Sequence, residues 1–293
     1  MTVMENAQNA QALGRKPTDS EVDFYGLTHA GRVREENQDH FLISSLHKRM
    51  DVHRTSLTDT SRLYREAERL AYLAMVADGV GGGPGGERAS RLAVEAISQF
   101  AAGSMDCYYT ADPADDQTFT QALADAALHC HEDLRQLSGT EAGKGMATTL
   151  TLMLFVWPRA YLLQVGDSRY YLLRDGELTQ ISRDQTLAQV LVDDGVFSRT
   201  EASKSPLSHV LSSTIGGSET APVVTGIDQD WDYVHLLCSD GLTKHVGDGL
   251  IAERLRTMTS SKQACENLVQ DALDLGGSDN ITVLVGRAVK KEA

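Results

Sequence analysis

The chain lacks the residues of a disulfide scaffold, a zinc module or a membrane protein. Its 4 cysteines, Cys107, Cys130, Cys238 and Cys265, include no C-x-x-C pair and are irregularly spaced. They read as reduced thiols in a cytoplasmic protein, not as a disulfide frame or a zinc site. No apolar run approaches the roughly 18 residues that a membrane helix requires. The longest, such as residues 150–157, are strand-sized. The opening stretch, MTVMENAQNAQALGRKPTDSE, is polar and has no apolar signal-peptide core. Positive charge is also short: 27 Lys and Arg against 41 Asp and Glu leave a formal net charge of −14. Nucleic-acid binding needs a basic face, so that class of partner is excluded, as is a membrane.

What is present is an ordinary globular composition, 41% hydrophobic and 23% charged over 293 residues. That length accommodates one large domain or two small ones. Residues 1–20 are expected to form a disordered leader. Residues 21–290 are read as a single domain, with a surface insertion near 46–70 in which 61–70 has helical spacing. Strands are expected at 22–30, 39–45, 71–77, 148–156, 161–165, 170–173, 178–181, 233–238 and 280–285. A hairpin turn, Arg174-Asp175-Gly176-Glu177, joins two of them. Helices are expected at 89–100, 119–137, 186–194, 248–258 and 262–273. In the second, Leu123, Ala127, Leu134 and Leu137 mark one face. The stretch VGGGPGGE reads as a loop, and 196–220 as a loop-rich flap. Strands and helices come in blocks, which favours an α+β fold with antiparallel sheets.

Three aspartates share one context. Asp78 and Asp240 each end a buried apolar strand and precede a glycine, and Asp279 directly precedes another such strand. Strand ends can aim several carboxylates at one point, and a neighbouring glycine lets a backbone carbonyl join them. Oxygen ligands of this kind suit Mg²⁺ or Mn²⁺. Asp-Gly is also a common turn dipeptide, so the residues alone leave a structural reading beside the metal one.

The surrounding motifs resemble the metal-dependent protein phosphatase family of the 2C type, in its bacterial form. They occur in order over roughly residues 22–289: GRVREENQD at 31–39, VADGVGGGPGGERAS at 76–90, GMATTLT at 145–151, VGDSR at 165–169, LCSDGL at 237–242 and SDNIT at 278–282. The resemblance implies two antiparallel sheets packed as a central sandwich flanked by helices, a four-layer α-β-β-α arrangement. It implies that Asp78 bridges two metal ions, that the Gly79 carbonyl ligates one of them, and that Asp240 and Asp279 hold the other. Arg34 would bind the substrate phosphate, while Asp39 and Gln38 orient waters beside the metals. The cofactors implied are two or more Mn²⁺ or Mg²⁺ ions. The implied reaction is hydrolysis of phosphoserine and phosphothreonine on proteins, by in-line attack of a hydroxide bridging the metals. Phosphorylated proteins and a cognate bacterial serine/threonine kinase are the partners implied.

The chain departs from the family pattern at several positions. Val80 and Gly83 stand where relatives carry Met and His, so no histidine acid is offered there, and a metal-bound water is expected to protonate the leaving oxygen. Ala147 replaces a glycine. The Asp that helps hold a third ion in bacterial relatives is missing, with Glu141 the nearest carboxylate. Asp167 reads as structural and Asp184 as a turn or flap residue. A binding module with a phosphatase fold and little turnover, and a phosphatase of small phosphoesters, are the alternative readings.

Overall fold

An unbroken apolar run must be covered on both faces, and residues 73–77 are buried at every position. The structure is a computed structural model that describes residues 15–48, 53, 54, 56, 68–81, 84–103, 116–138 and 145–290. Strand β1 is Val22–His29, β2 Asp39–Lys48 and β3 Glu68–Val80. Helices α1 (Pro84–Gly103) and α2 (Asp116–Ser138) follow. Next come β4 (Ala147–Thr148), β5 (Leu150–Val156), β6 (Arg159–Val165), β7 (Arg169–Arg174) and β8 (Glu177–Gln180). The flap carries α3 (Leu187–Asp193) and α4 (Arg199–Lys204). The chain closes with β9 (Val223–Asp228), β10 (Val234–Cys238), α5 (Asp240–Thr243), α6 (Asp248–Arg256), α7 (Ser261–Asp274) and β11 (Ile281–Ala288).

All strand pairings are antiparallel. One sheet runs β1-β11-β10-β7-β8, the other β2-β3-β5-β6-β9, with β4 pairing to β3. Alternation along each strand sorts the side chains into layers. On β3, Ala74 and Val76 point between the sheets, where they meet Met153, Leu162, Leu237 and Leu284. Leu73 and Met75 point the other way, against Ala93 and Ile97 of α1 and Leu123 of α2. On the second sheet, Leu236, Val283 and Val285 face Ile251, Leu268 and Ala272 of α6 and α7. The result is the expected helix-sheet-sheet-helix stack. Each fully buried Leu or Val contributes about 1.5–3 kcal/mol of transfer free energy.

Several local expectations shift. The stretch VGGGPGGE is not all loop, because Val80 ends β3 and Pro84, Gly85, Gly86 and Glu87 begin α1. A proline is tolerated in a first helical turn, where its missing N–H would have no partner anyway. Leu137 is 37% exposed, unlike Leu123, Ala127 and Leu134; the buried stripe of α2 is completed by Phe119 and Cys130 instead. Within 196–220, residues 199–204 form α4, stabilised by a capping box between Ser198 and Glu201. The edge strand β9 has no counterpart among the expected elements.

Residues 68–70, read as the end of a helix, belong to β3. Lys48 pairs with Glu68 in the β2–β3 ladder, and those inter-strand bonds override helical spacing. Residues 15–20, assigned to the leader, are also anchored. Arg15 forks onto Glu21 at 2.7 and 2.5 Å, and the Arg69 guanidinium bonds Asp19 and the Pro17 carbonyl. Residues 1–14, most of the 46–70 segment, Gly83, Cys107 and Glu141 lie outside the described residues. Cys130, Cys238 and Cys265 are free, buried thiols, and burial pushes each of them up to about 12. Among the described residues no helix is long and apolar enough to cross a membrane.

Candidate active site

The ends of β2, β3, β10 and β11 converge at one rim of the sandwich. Asp39, which opens β2, stands opposite Asp78 on β3. Asp240 begins α5 directly after β10, and Asp279 precedes β11 by two residues. A cavity of about 800 Å³ opens here, lined by Arg34, Gln38, Asp78, Gly79, Asp240 and Asp279. Every site residue expected from the sequence except Asp39 therefore lines it. Asp39 lies underneath, 4% exposed.

Backbone contacts hold this rim in place. The Asp78 carbonyl accepts from Thr148 Oγ1 at 2.8 Å and from Thr149 N at 2.9 Å. The Asp78 N–H donates to Thr149 Oγ1 at 3.0 Å. Thr149 Oγ1 in turn lies 2.8 Å from Ser168 Oγ. The Thr-Thr and Asp-Ser-Arg motifs thus pin the central aspartate from beneath. Gly79 and Gly86 bring β3 against the start of α1, since a Cβ on Gly79 would lie 2.4 Å from the Gly86 carbonyl. Gly241 is required in the same way, because a Cβ there would lie 1.9 Å from the Asn280 carbonyl oxygen. Asn280 fixes the segment that carries Arg34: its Nδ2 donates to the Ala30 and Glu36 carbonyls at 2.9 Å each, and its Oδ1 accepts from Gln38 N at 2.9 Å.

The electrostatics are dominated by crowded carboxylates. Burial pushes Asp78 well above the usual carboxylate range, and Asp39, Asp240, Asp167 and Asp279 push it further. Asp39 is raised by burial although Thr282 and Ser239 donate to its Oδ2 at 2.7 Å each. Its Oδ1 is buried with no hydrogen-bond partner. Burial also raises Asp279, but the Arg34 and Lys244 side chains outweigh that and hold it below its ordinary value. Arg34 Nε and Nη2 fork onto Asp279 at 2.8 and 3.1 Å. Lys244 Nζ lies 2.6 Å from Asp240 and 2.7 Å from Asp279.

Three residues that sequence reasoning had set aside or missed belong to this site. Asp167 lines the cavity and is raised by burial and by Asp240 and Asp184, while its motif neighbours Ser168 and Arg169 bond the surrounding loops. Lys244 was legible as an i+4 partner of Asp240. His209, on the flap, also lines the cavity, and nothing in its local sequence marks it. Asp184 is a structural anchor: Arg169 Nε and Nη2 fork onto it at 2.9 and 2.7 Å. His29 and His40 are engaged elsewhere, His29 Nδ1 by Gly31 N at 2.9 Å and His40 Nδ1 by Ser90 Oγ at 3.0 Å.

The family model described as protein phosphatase 2C matches residues 53–274 of the sequence. The chain belongs to the protein phosphatase 2C family. It is 38% identical over 223 residues to the serine/threonine protein phosphatase PstP of Mycobacterium tuberculosis, a match covering 75% of this chain and 41% of that protein. The chain thus spans less than half the length of that curated relative. It is 30% identical over 218 residues to the serine/threonine phosphatase stp of Listeria monocytogenes, covering 73% of this chain and 83% of that one. Among solved structures, the M. tuberculosis phosphatase PstP/Ppp superposes with a TM-score of 0.72 at 31% identity, covering 92% of this chain and 99% of that one. The catalytic domain of PstP in complex with 2 manganese ions superposes at 0.67, also at 31% identity, covering 92% of this chain and 99% of that one.

The residues present fit divalent cations of the kind that the 2C family implies. Hard cations favour oxygen donors, and Asp78, Asp240, Asp279 and Asp167 line one cavity above the unpartnered Asp39 Oδ1. Among the described residues no three His, Cys, Asp or Glu side chains are gathered closely enough to hold a metal ion as they stand. Here Lys244 and Arg34 engage the outer carboxylates.

Proposed function

We propose that this chain is a metal-dependent phosphatase that hydrolyses phosphoserine and phosphothreonine monoesters on proteins. The observation that carries the reading is the crowding of Asp78 by the carboxylates of Asp39, Asp240, Asp167 and Asp279. Such mutual repulsion is relieved by protonation or by a bound cation, and a divalent cation among oxygen donors relieves it at neutral pH with every carboxylate ionised. Asp78, the Gly79 carbonyl, Asp240 and Asp279 would hold the Mn²⁺ or Mg²⁺ ions, two or more per chain, with Asp167 at hand for a further one. Bound there, divalent cations offset the charge of a phosphate dianion and make a water nucleophile available near neutral pH.

The chain's own groups supply the rest. The Arg34 guanidinium, released from Asp279, presents two parallel N–H donors to a phosphate. Asp39 is locked by Ser239 and Thr282 and keeps its free oxygen as an acceptor that orients bound water. Gln38 holds the start of α1 and β3 together through its carbonyl, which accepts from Ser90 Oγ at 2.5 Å and Gly79 N at 3.2 Å. His209 lines the same cavity and would be a second proton donor to the leaving seryl or threonyl oxygen, beside a metal-bound water. The three described cysteines, buried and free, fit a cytoplasmic setting, and a serine/threonine kinase is the natural opponent of such an activity.

The test is hydrolysis of p-nitrophenyl phosphate with EDTA, Mg²⁺ and Mn²⁺, for the wild type and Asp240→Asn, followed by a phosphothreonine peptide and free phospho-metabolites. Activity that requires metal, is lost in Asp240→Asn and prefers the peptide supports the proposal. Metal binding without turnover would favour a binding module, and preference for metabolites a small-molecule phosphatase.

A further inference from the structure

Lys244 caps the four-residue helix α5, and its N–H donates to the Asp240 carbonyl at 2.8 Å. That single turn places Nζ 2.6 Å from the Asp240 carboxylate and, across the gap to the residues before β11, 2.7 Å from Asp279 Oδ2. Asp279 has no oxygen to spare. Its Oδ1 accepts from Arg34 Nε at 2.8 Å and from Asn280 N at 3.0 Å, and its Oδ2 accepts from Arg34 Nη2 at 3.1 Å as well as from Lys244.

The inner carboxylates contrast with this pair. Asp78 is bordered chiefly by negative charge, and Asp39 Oδ1 is buried without a partner. The two halves of the cavity therefore differ in what an incoming cation must displace. On the inner half it relieves repulsion between carboxylates. On the outer half it must displace the Arg34 fork from Asp279 and an ammonium covalently tethered beside both ligands. A tethered competitor acts at an effective concentration on the order of millimolar, whatever the protein concentration.

We propose that Lys244 is a built-in competitor for the cation at the Asp240–Asp279 pair, so that this half of the site fills last and most weakly. The inference rests on the metal reading above and concerns the order and strength of loading. It makes occupancy of the outer half, and with it the enzyme, responsive to the free divalent-metal level.

The experiment is a Mn²⁺ titration of the full chain, following free Mn²⁺ by electron paramagnetic resonance and heat by calorimetry. Wild type, Lys244→Met, Lys244→Gln and Asp279→Asn are compared, with circular dichroism confirming that each is folded. The wild type is expected to bind in two steps, one tight and one weak. In Lys244→Met and Lys244→Gln the weak step tightens at least tenfold while the tight step moves less than twofold. Asp279→Asn loses the weak step alone. A weak step that is unchanged or weakened in both lysine variants overturns the competitor role and leaves the metal site intact. A wild type that binds no Mn²⁺ overturns the metal reading itself.

Discussion

Asp39 and Asp78 stand directly opposite each other on β2 and β3, so a sealed carboxylate lies beside a half-buried one that lines the cavity. Such a pair is a destabilising feature that a cation converts into a stabilising one. In EDTA, Asp78→Asn is expected to melt a few degrees above the wild type, because a repelling charge is gone. In saturating Mn²⁺ the order reverses, since only the wild type gains binding free energy, about 2.7 kcal/mol at 100 times the dissociation constant. Differential scanning calorimetry in both buffers checks this, and one ranking in both would refute it.

Arg34 is expected to act on substrate through its paired donors. Hydrogen bonds to charged groups contribute about 1.5–3 kcal/mol each. Arg34→Ala, which removes both, should therefore lower kcat/KM for a phosphothreonine peptide by roughly 10²- to 10⁴-fold. Arg34→Lys should recover little, because an ammonium cannot reproduce the fork. Steady-state kinetics with both variants decide it, and full rescue by lysine would contradict the paired geometry.

The contact of Gly79 with Gly86 predicts a steric penalty. In Gly86→Ala the new methyl would lie 2.7 Å from Gln38 Oε1 and 3.0 Å from the Gly79 carbonyl carbon. Overpacking of this kind costs about 1–3 kcal/mol. Because it presses on Gly79 and Gln38, Mn²⁺ affinity should fall together with stability in urea unfolding. Loss of stability with unchanged Mn²⁺ affinity would show that the contact does not position the site.

His235 lies between the sheets, its Nδ1 2.9 Å from Tyr170 Oη, and burial lowers its pKa from 6.5 to about 3. Between those values the unfolded chain binds a proton that the folded chain refuses. The stability associated with this group is complete above pH 6.5 and declines as pH falls from there towards 3, by about 1.4 kcal/mol per pH unit. His235→Gln should flatten the loss between pH 7 and about pH 5 in urea titrations. An unaltered acid slope would mean that other groups set it.

If His209 supplies a proton, the effect must depend on the leaving group. His209→Ala should slow hydrolysis of a phosphothreonine peptide by on the order of 100-fold. It should change p-nitrophenyl phosphate turnover only a few-fold, since that leaving group departs unprotonated. Equal effects on the two substrates would assign His209 to binding instead.

Much of the fold was legible because burial on two faces writes itself as unbroken apolar runs. The stretch from Ala71 to Ala77 reads as a covered strand, and the Asp-Gly steps after it and after Cys238 mark a shared rim. Legibility failed where long-range contacts outweighed local preference. Residues 68–70 follow the β2 ladder against their helical spacing, and Gly85 and Gly86 enter a helix because β3 packs against its first turn.

The sequence by itself determined the α+β class, the ordered motifs and the aspartates that fall at strand ends, since these depend on residue type and periodicity. Only the tertiary structure decided that Asp167 faces the cavity, that Asp39 lies sealed beneath it and that Lys244, beside Asp240 in its own helical turn, also reaches Asp279. Those are distances between residues far apart in the chain, set by how two sheets stack, and no local pattern encodes them.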